Sequence, residues 1–317
     1  MTSLRKQFSL SDILGWLAVG ISTALAAFWA FWGSIENFHE GWYAHSIWEN
    51  LALMLGQYLG FSVLFVVLAL TGIHRAKFGG ILHLLFGGSL AWALRASGAG
   101  LLLSLPILGI GMLYYFGHVQ SRRIAIWIVI GVPLLTAIGF GIGPAYRTFT
   151  RTDDGYRGAR LLTANGVKLV WAPDGPGWAN SGVNWYDAQK ACAHLSADGS
   201  ALADSAMNIW RLPTAEELVR SGCRHGLNVG ATLDTTTMTP SYEVRPDKET
   251  PLWDQYSMIV YWWSGTGADT SSAYLYSFNG HVFKKNKKFA AGNYGFRAVR
   301  EPMPGDSILP GATVVPN

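Results

Sequence analysis

Hydrophobic residues fill the first 143 positions in long, nearly unbroken runs, and fill the remainder in short stretches with strand or helix spacing. The long runs cover residues 13–33, 51–73, 78–94, 99–116 and 124–143, each close to the roughly 20 residues a helix needs to cross a bilayer. They predict a membrane all-α bundle of about five transmembrane helices. Only Arg95-Ala-Ser-Gly-Ala-Gly separates the third run from the fourth, and Pro106 interrupts the fourth. Hydrocarbon cannot satisfy bare backbone, so this pair reads as a tight helical hairpin. Beyond residue 143 the period changes. Val167-Lys-Leu-Val-Trp171 predicts a strand and "APDGPGWANSG" a loop. Trp185, Ala188, Cys192 and Leu195 share one face of a helix predicted over 185–196. "IVYWWSGT" and "AYLYSFNGHVFKK" predict strands, with a hairpin signal at Asn279-Gly280, and "YGFRAVRE" predicts a last strand.

The stretch "NIWRLPTAEELVRSG", residues 208–222, is a predicted strand-to-helix corner. Pro213 keeps Trp210-Arg211-Leu212 extended, and Thr214 and Glu217 have the spacing of a capping box. Leu218 and Val219 then cover a core. A catalytic Glu216 or Glu217 is the competing reading, but capping and the helix dipole already account for carboxylates in a first turn.

Composition sharpens the division. Of 24 Lys and Arg and 20 Asp and Glu, only seven cations and four acids precede residue 144. The later part is therefore nearly neutral, with no basic footprint for nucleic acid. Cations are retained on the cytoplasmic side of a membrane. Five spans with the N-terminus inside place Arg5, Lys6, Arg75, Lys77, Arg122 and Arg123 in the cytoplasm, with Arg95 alone outside. Residues 144–317 then lie across the membrane. Arg5-Lys6, the following apolar stretch and Ala24-Leu25-Ala26 also mimic a cleaved secretory signal, but the run continues through Phe28-Trp29-Ala30-Phe31-Trp32, as a retained anchor does.

Within the membrane region, His83 is the one ionisable side chain deep in a run, read either as a functional group or as bonded to a nearby carbonyl. His74 and His118 flank spans without ligand spacing. Trp29, Trp32, Trp42, Tyr43 and Trp48 read as interfacial anchors, and Gly79, Gly80, Gly87, Gly88, Gly109 and Gly111 as close-packing positions. The domain plan is a transmembrane part over 1–143, a linker over 144–158, an outer domain over 159–302 and a flexible tail over 303–317.

Four segments in order carry a resemblance: Trp185-Tyr-Asp-Ala188 with Cys192, Trp210 to Leu218, Tyr261-Trp-Trp-Ser264, and Gly295-Phe-Arg297-Ala-Val-Arg300. Residues 160–302 resemble the Lcl C-terminal domain family of bacterial surface proteins, itself similar to the formylglycine-generating, sulfatase-modifying enzymes. The resemblance implies an α+β, C-type-lectin-like outer domain, with Trp210, Arg211, Pro213, Thr214, Glu217, Arg297 and Arg300 as its structural motif. It does not imply one activity, because such folds serve oxidases, glycan binders and scaffolds alike. The terminal motif carries Ala298 where the family often has cysteine.

Cys192 and Cys223 are the only cysteines. Outside the cytoplasm such a pair predicts a disulfide; reactive thiols or copper ligands are the alternative. No cysteine follows Cys223, which argues against formylglycine chemistry, and His194, His225 and His281 show no ligand spacing. No cofactor, metal or catalytic residue is predicted. The expected function is non-catalytic binding outside the cell membrane, as an accessory subunit of a membrane complex or as a glycan-binding surface protein in the bilayer. The expected surface comprises Trp253, Asp254, Tyr256, Trp262, Trp263, Lys284, Lys285, Lys287 and Lys288, with core packing the alternative for Trp262, since alternate strand residues must point inward. A transporter-like core with an outer lid and a sulfatase-modifying enzyme are the alternatives.

Overall fold

A computed structural model describes residues 9–95, 97–304 and 306, with the side chains of Ala99 and Ala164 set aside. The chain divides into two compact units, one from the N-terminus to Tyr146 and one from Arg147 onward that also takes in Tyr43–His45. Arg5 and Lys6 lie outside the described residues.

The first unit is helical. Its elements are α1 (Leu10–His39), α2 (Ile47–Leu53), a π turn (Met54–Tyr58), α3 (Gly60–His74), α4 (Ala76–Ala93), α5 (Ala99–Phe116) and α6 (Arg122–Phe149). Ser9 and Asp12 form a capping box at the start of α1. Among the described residues two helices, α1 and α6, are long and apolar enough to cross a membrane, with mean hydropathy of 1.8 and 2.2. The predicted second run is not one straight helix: it bends by 62° where the π turn meets α3, and counts as a third crossing only if both halves belong to one span. Pro106 sits inside α5 without ending it. Large apolar side chains cover the outside of the unit, among them Leu102 (76% exposed) and Leu135 (70% exposed), as contact with lipid requires and water would penalise. Between α4 and α5 the expected small-residue packing is present at Gly80, where a Cβ would meet the Gly111 carbonyl oxygen at 2.7 Å. Gly88 and Gly109 have open space instead.

The second unit is α+β and sheet-rich. It contains β1 (Arg160–Ala164), β2 (Val167–Trp171), α7 (Trp185–His194), α8 (Ala215–Arg220), β3 (Cys223–Arg224), β4 (Leu227–Asn228), β5 (Thr232–Asp234), β6 (Thr239–Ser241), β7 (Tyr261–Gly267), β8 (Ser272–Ser277), β9 (Val282–Asn286), β10 (Tyr294–Gly295) and β11 (Val299–Arg300). One sheet runs β1-β2-β11 and another β10-β7-β8-β9. "YGFRAVRE" is thus two strands rather than one: β10 runs parallel to β7, and β11 pairs antiparallel with β2. The segment joins the edges of both sheets.

Both faces of each sheet are covered, so alternation along a strand feeds two cores. Leu169, Trp171, Trp262, Tyr276 and Val299 pack with Leu218 and Val219 of α8. Val170, Ala172, Trp263, Leu275 and Ala298 pack with Ala188 and Cys192 of α7. The hairpin of β1 and β2 was not foreseen. Its register leaves only Asn165-Gly166 in the turn, both at positive φ (49° and 81°), the geometry for which Asn-Gly is preferred. The predicted Asn279-Gly280 turn is looser: Ser277 N donates to His281 O (2.9 Å), and of the pair only Gly280 has positive φ.

The capping box is present, with Glu217 N donating to Thr214 Oγ1 at 3.1 Å and Thr214 N to Glu217 Oε2 at 2.7 Å. Thr214→Ala is expected to cost about 1 kcal/mol, read as a lower urea midpoint for the second unit in the full chain. The corner also closes the fold. Arg211 N donates to Val299 O (2.9 Å), Val299 N to Arg211 O (2.8 Å), and Gly265 N to Pro213 O (2.7 Å).

Residues 144–158, the expected linker, include the division between the two units at Tyr146 and Arg147. Those up to Phe149 continue α6, and the rest are held by Arg151 on Asp247 (2.8 Å) and Thr152 N on Glu249 (2.7 Å). The beginning of the tail is likewise fixed, because Asp306 receives both terminal nitrogens of Arg300 at 2.7 Å. Residues 307–317 of the expected flexible tail lie outside the described residues.

Candidate functional site

The surface expected from sequence is not assembled. Trp253 is 1% exposed and stacks on Trp262 with ring centroids 3.7 Å apart, and Trp263 is fully buried with Nε1 donating to Val183 O at 2.9 Å. Both are core residues, because neither face of the β7–β8 sheet is open to water. Asp254 holds Arg157 (2.8 Å) and the backbone N–H of Tyr256 (3.0 Å), and Tyr256 is partly exposed. The four lysines do not form one cationic patch. Lys284 pairs with Asp269 at 2.5 Å, and Lys285 Nζ lies 3.9 Å from the centroid of Phe289. Lys287 is buried, donating to Asp269 O at 2.9 Å and lying over Trp185; Lys288 is exposed.

The predicted disulfide is also absent. Both cysteines are free thiols. Cys192 projects from α7 into one core and Cys223 belongs to the other, so the pair is separated by the sheets that divide them. Burial pushes the Cys223 thiol up to about 12 and raises that of Cys192 as well, the opposite of what a thiolate nucleophile or copper ligand needs. Neither thiol is expected to react with a maleimide until the chain is denatured, and reductant is expected to leave the melting temperature unchanged. A gain in electrophoretic mobility that reductant abolishes would contradict this.

The motif residues act structurally. Arg211 holds Glu217 through two contacts of 2.7 Å and reaches Glu301 at 2.9 Å. Burial raises the Glu217 pKa, but the Arg211 pair and the cap outweigh it, so the carboxyl is held below its usual range and is unsuited to act as a general acid. Trp210 Nε1 donates to Ser196 O at 2.9 Å. Arg297 is buried between β11 and the loop before β7. Its Nε donates to Ala172 O (2.9 Å) and its Nη1 to Pro251 O (3.1 Å) and Leu252 O, while the guanidinium lies 3.6 Å from the centroid of Trp178. Burial, then the nearby Arg160 and Arg157 guanidiniums, press its pKa down.

A buried charge cluster was missed from sequence. Asp247 receives Arg151 (2.8 Å), Arg224 (2.5 Å) and Arg147 (3.4 Å), and Glu249 receives the backbone N–H groups of Thr152 and His225. "RPDKETP" reads as a solvated loop, and only its cationic partners from residues 147–151 and 224 reveal it as core. Between the two acids Lys248 is enclosed, its Nζ donating to Ser257 O. Burial and the Arg151 charge pull its pKa down to about 7, against the attraction of Asp254 and Asp247. The folded value lies below the unfolded value of 10.5, so between these limits the unfolded chain binds the extra proton. Lys248 therefore makes stability rise with pH across that window, by about 1.4 kcal/mol per pH unit. Urea denaturation from pH 7 to 10 is expected to show this rise, and Lys248→Met to flatten it.

An open groove of about 390 Å³ lies on the second unit, between the β1–β2 turn and α8. Lys168, Glu216, Glu217, Arg220 and Glu301 line it. Glu216 and Arg220 pair across one helical turn at 2.7 Å. The groove is thus a fixed array of alternating charge, suited to a hydroxylated or zwitterionic ligand. In the first unit His83 is buried with Nδ1 2.8 Å from Gly79 O, the carbonyl partner expected of a structural histidine. Glu36, His39 and Glu40 each offer a ligand atom within 4.8 Å of the others, the one such group among the described residues. Comparison of the chain with protein-family models, with curated proteins and with solved structures returned no match.

Proposed function

We propose that the chain is a five-span integral membrane protein that displays a non-catalytic binding domain on the side of the membrane away from the cytoplasm. The expected cation pattern supports that orientation: Arg75, Lys77, Arg122 and Arg123 fall between spans on the inner side. The reading of the second unit as an Lcl C-terminal-like, C-type-lectin-like domain is supported by the way its four motif segments meet. Arg211 pairs with Val299, Pro213 accepts from Gly265, and Trp185 Nε1 donates to Ser264 O.

The single observation that carries a binding role is the groove beside α8. Its five charged side chains come from β2, α8 and the segment after β11. The thiols that catalysis of the sulfatase-modifying type would use are buried in separate cores. The ligand class is a surface glycan or a polar segment of a partner subunit.

The test takes the full chain from native membranes in mild detergent, analyses it for stoichiometric partners, and presents it to an array of neutral and acidic glycans. A one-to-one partner or a saturable glycan is expected, and Lys168→Ala/Arg220→Ala should lose it. Retention of the ligand by that double variant, or the absence of either ligand, would contradict the proposal.

A further inference from the structure

We propose that the guanidinium cluster around Asp247, at the end of α6, binds an anionic phosphate group. Arg147, Arg151 and Arg224 reach Asp247 at 3.4, 2.8 and 2.5 Å, and Arg245 lies close enough to repel Arg147. Four guanidiniums thus meet two carboxylates, Asp247 and Glu249. Other acids of these segments are engaged elsewhere: Asp153 and Asp254 hold Arg157, and the Glu243 carboxylate packs against Gly230. A surplus of positive charge remains even with Lys248 neutral.

The surplus can be reached from outside. Arg151 and Arg224 are largely enclosed, but the Arg147 side chain is 36% exposed and Arg245 is exposed. Arg147 uses Nε on Asp247 and Nη2 on Pro246 O (3.2 Å), while Arg245 uses Nε on Asn279 O (3.3 Å) and Nη2 on His281 Nε2 (3.2 Å). Nη1 of each donates to nothing among the described residues. A phosphate presents oxygens to two planar forks at once, which the single edge of a carboxylate does not.

Position indicates the source. Arg147 sits in the last turn of the apolar helix α6, and Tyr146 and Phe149 beside it are exposed aromatic rings, the composition of a headgroup boundary. Val244 precedes Arg245, and Leu227 pairs with Arg224; both side chains are more than half exposed and add apolar surface. Basic pockets at such a boundary take phospholipid headgroups. Free phosphate has the same chemistry but gains nothing from the apolar flanks. The inference rests on α6 crossing the bilayer and holds whichever side the second unit faces.

The test titrates phosphatidylglycerol and phosphatidylcholine of equal chain length into the full chain in mild detergent, with bound lipid counted by native mass spectrometry. One phosphatidylglycerol is expected to be retained at a concentration at least about tenfold lower than phosphatidylcholine. Arg245→Gln should remove that preference with the lipid-free melting temperature unchanged, and Arg147→Gln should act in the same direction. Lys288→Gln, at an exposed cation outside the cluster, should leave it intact. Protection of the parent against heat by inorganic phosphate, absent in Arg245→Gln and with both lipids retained alike, would assign the site to free phosphate. The inference is overturned if neither lipid preference nor phosphate protection is seen, if both arginine variants bind as the parent does, or if Lys288→Gln loses as much as Arg245→Gln.

Discussion

Arg297→Met is expected to destabilise the second unit by about 3–5 kcal/mol, read as a shift of the urea midpoint at unchanged slope. The guanidinium is 1% exposed and donates to the carbonyls of Ala172, Pro251 and Leu252, which tie the β2 end to the loop before β7. Methionine fills the space beside Trp178 but donates nothing, so those carbonyls lose their shared partner. The desolvation of a buried cation is recovered at the same time, which keeps the loss below the sum of the separate hydrogen bonds. Lysine should not rescue the site, because a point charge on a flexible stem cannot span carbonyls that a planar fork reaches together. A variant within about 0.5 kcal/mol of the parent, the usual effect of a surface change, would refute this assignment.

The second large effect is expected at Asp247. Its side chain is 1% exposed and is the common acceptor for Arg151 and Arg224, themselves 3% and 11% exposed, and for Arg147. Asp247→Asn keeps the shape and removes the charge, leaving buried guanidiniums without their counter-ion. A loss of about 3–5 kcal/mol follows for a broken buried pair. Thr150 and Arg151 are held by the same cluster, so amide exchange in the segment that begins with them should accelerate selectively. Breaking the exposed pair of Glu216 and Arg220 should cost only about 0.3–0.5 kcal/mol. The two variants together test whether burial, and not ion-pair number, holds this region.

Local signals in the sequence survived in the fold. The Thr214 capping box, the strand Val167–Trp171 and the helix beginning at Trp185 depend on residues within one or two turns of each other, and each formed as expected. What failed depends on partners far along the chain. Trp262 and Trp263 alternate, which predicts one inward and one outward ring, but α7 and α8 pack against opposite faces of the sheet and draw both rings inward. Trp253 lies in a Pro-flanked loop that looks exposed until Trp262 stacks on it. The cysteines failed as a pair for a related reason: even number and compartment predict a bridge, and only the two-core arrangement separates them. The charged residues of 147–157 and 247–254 are ordinary loop composition when read apart, and one network when brought together. In the first unit the long apolar runs fall on helices, but the run over 51–73 hides the break after Tyr58, because no proline marks it.

The central claim is that the second unit lies across the membrane from the cytoplasm. Ser205 is exposed, and the native thiols are buried in separate cores, so Ser205→Cys adds a single reporter over a low background. A membrane-impermeant maleimide should label this variant in intact spheroplasts to the same extent as after lysis. Labelling that appears only after lysis would place the unit in the cytoplasm and contradict the account.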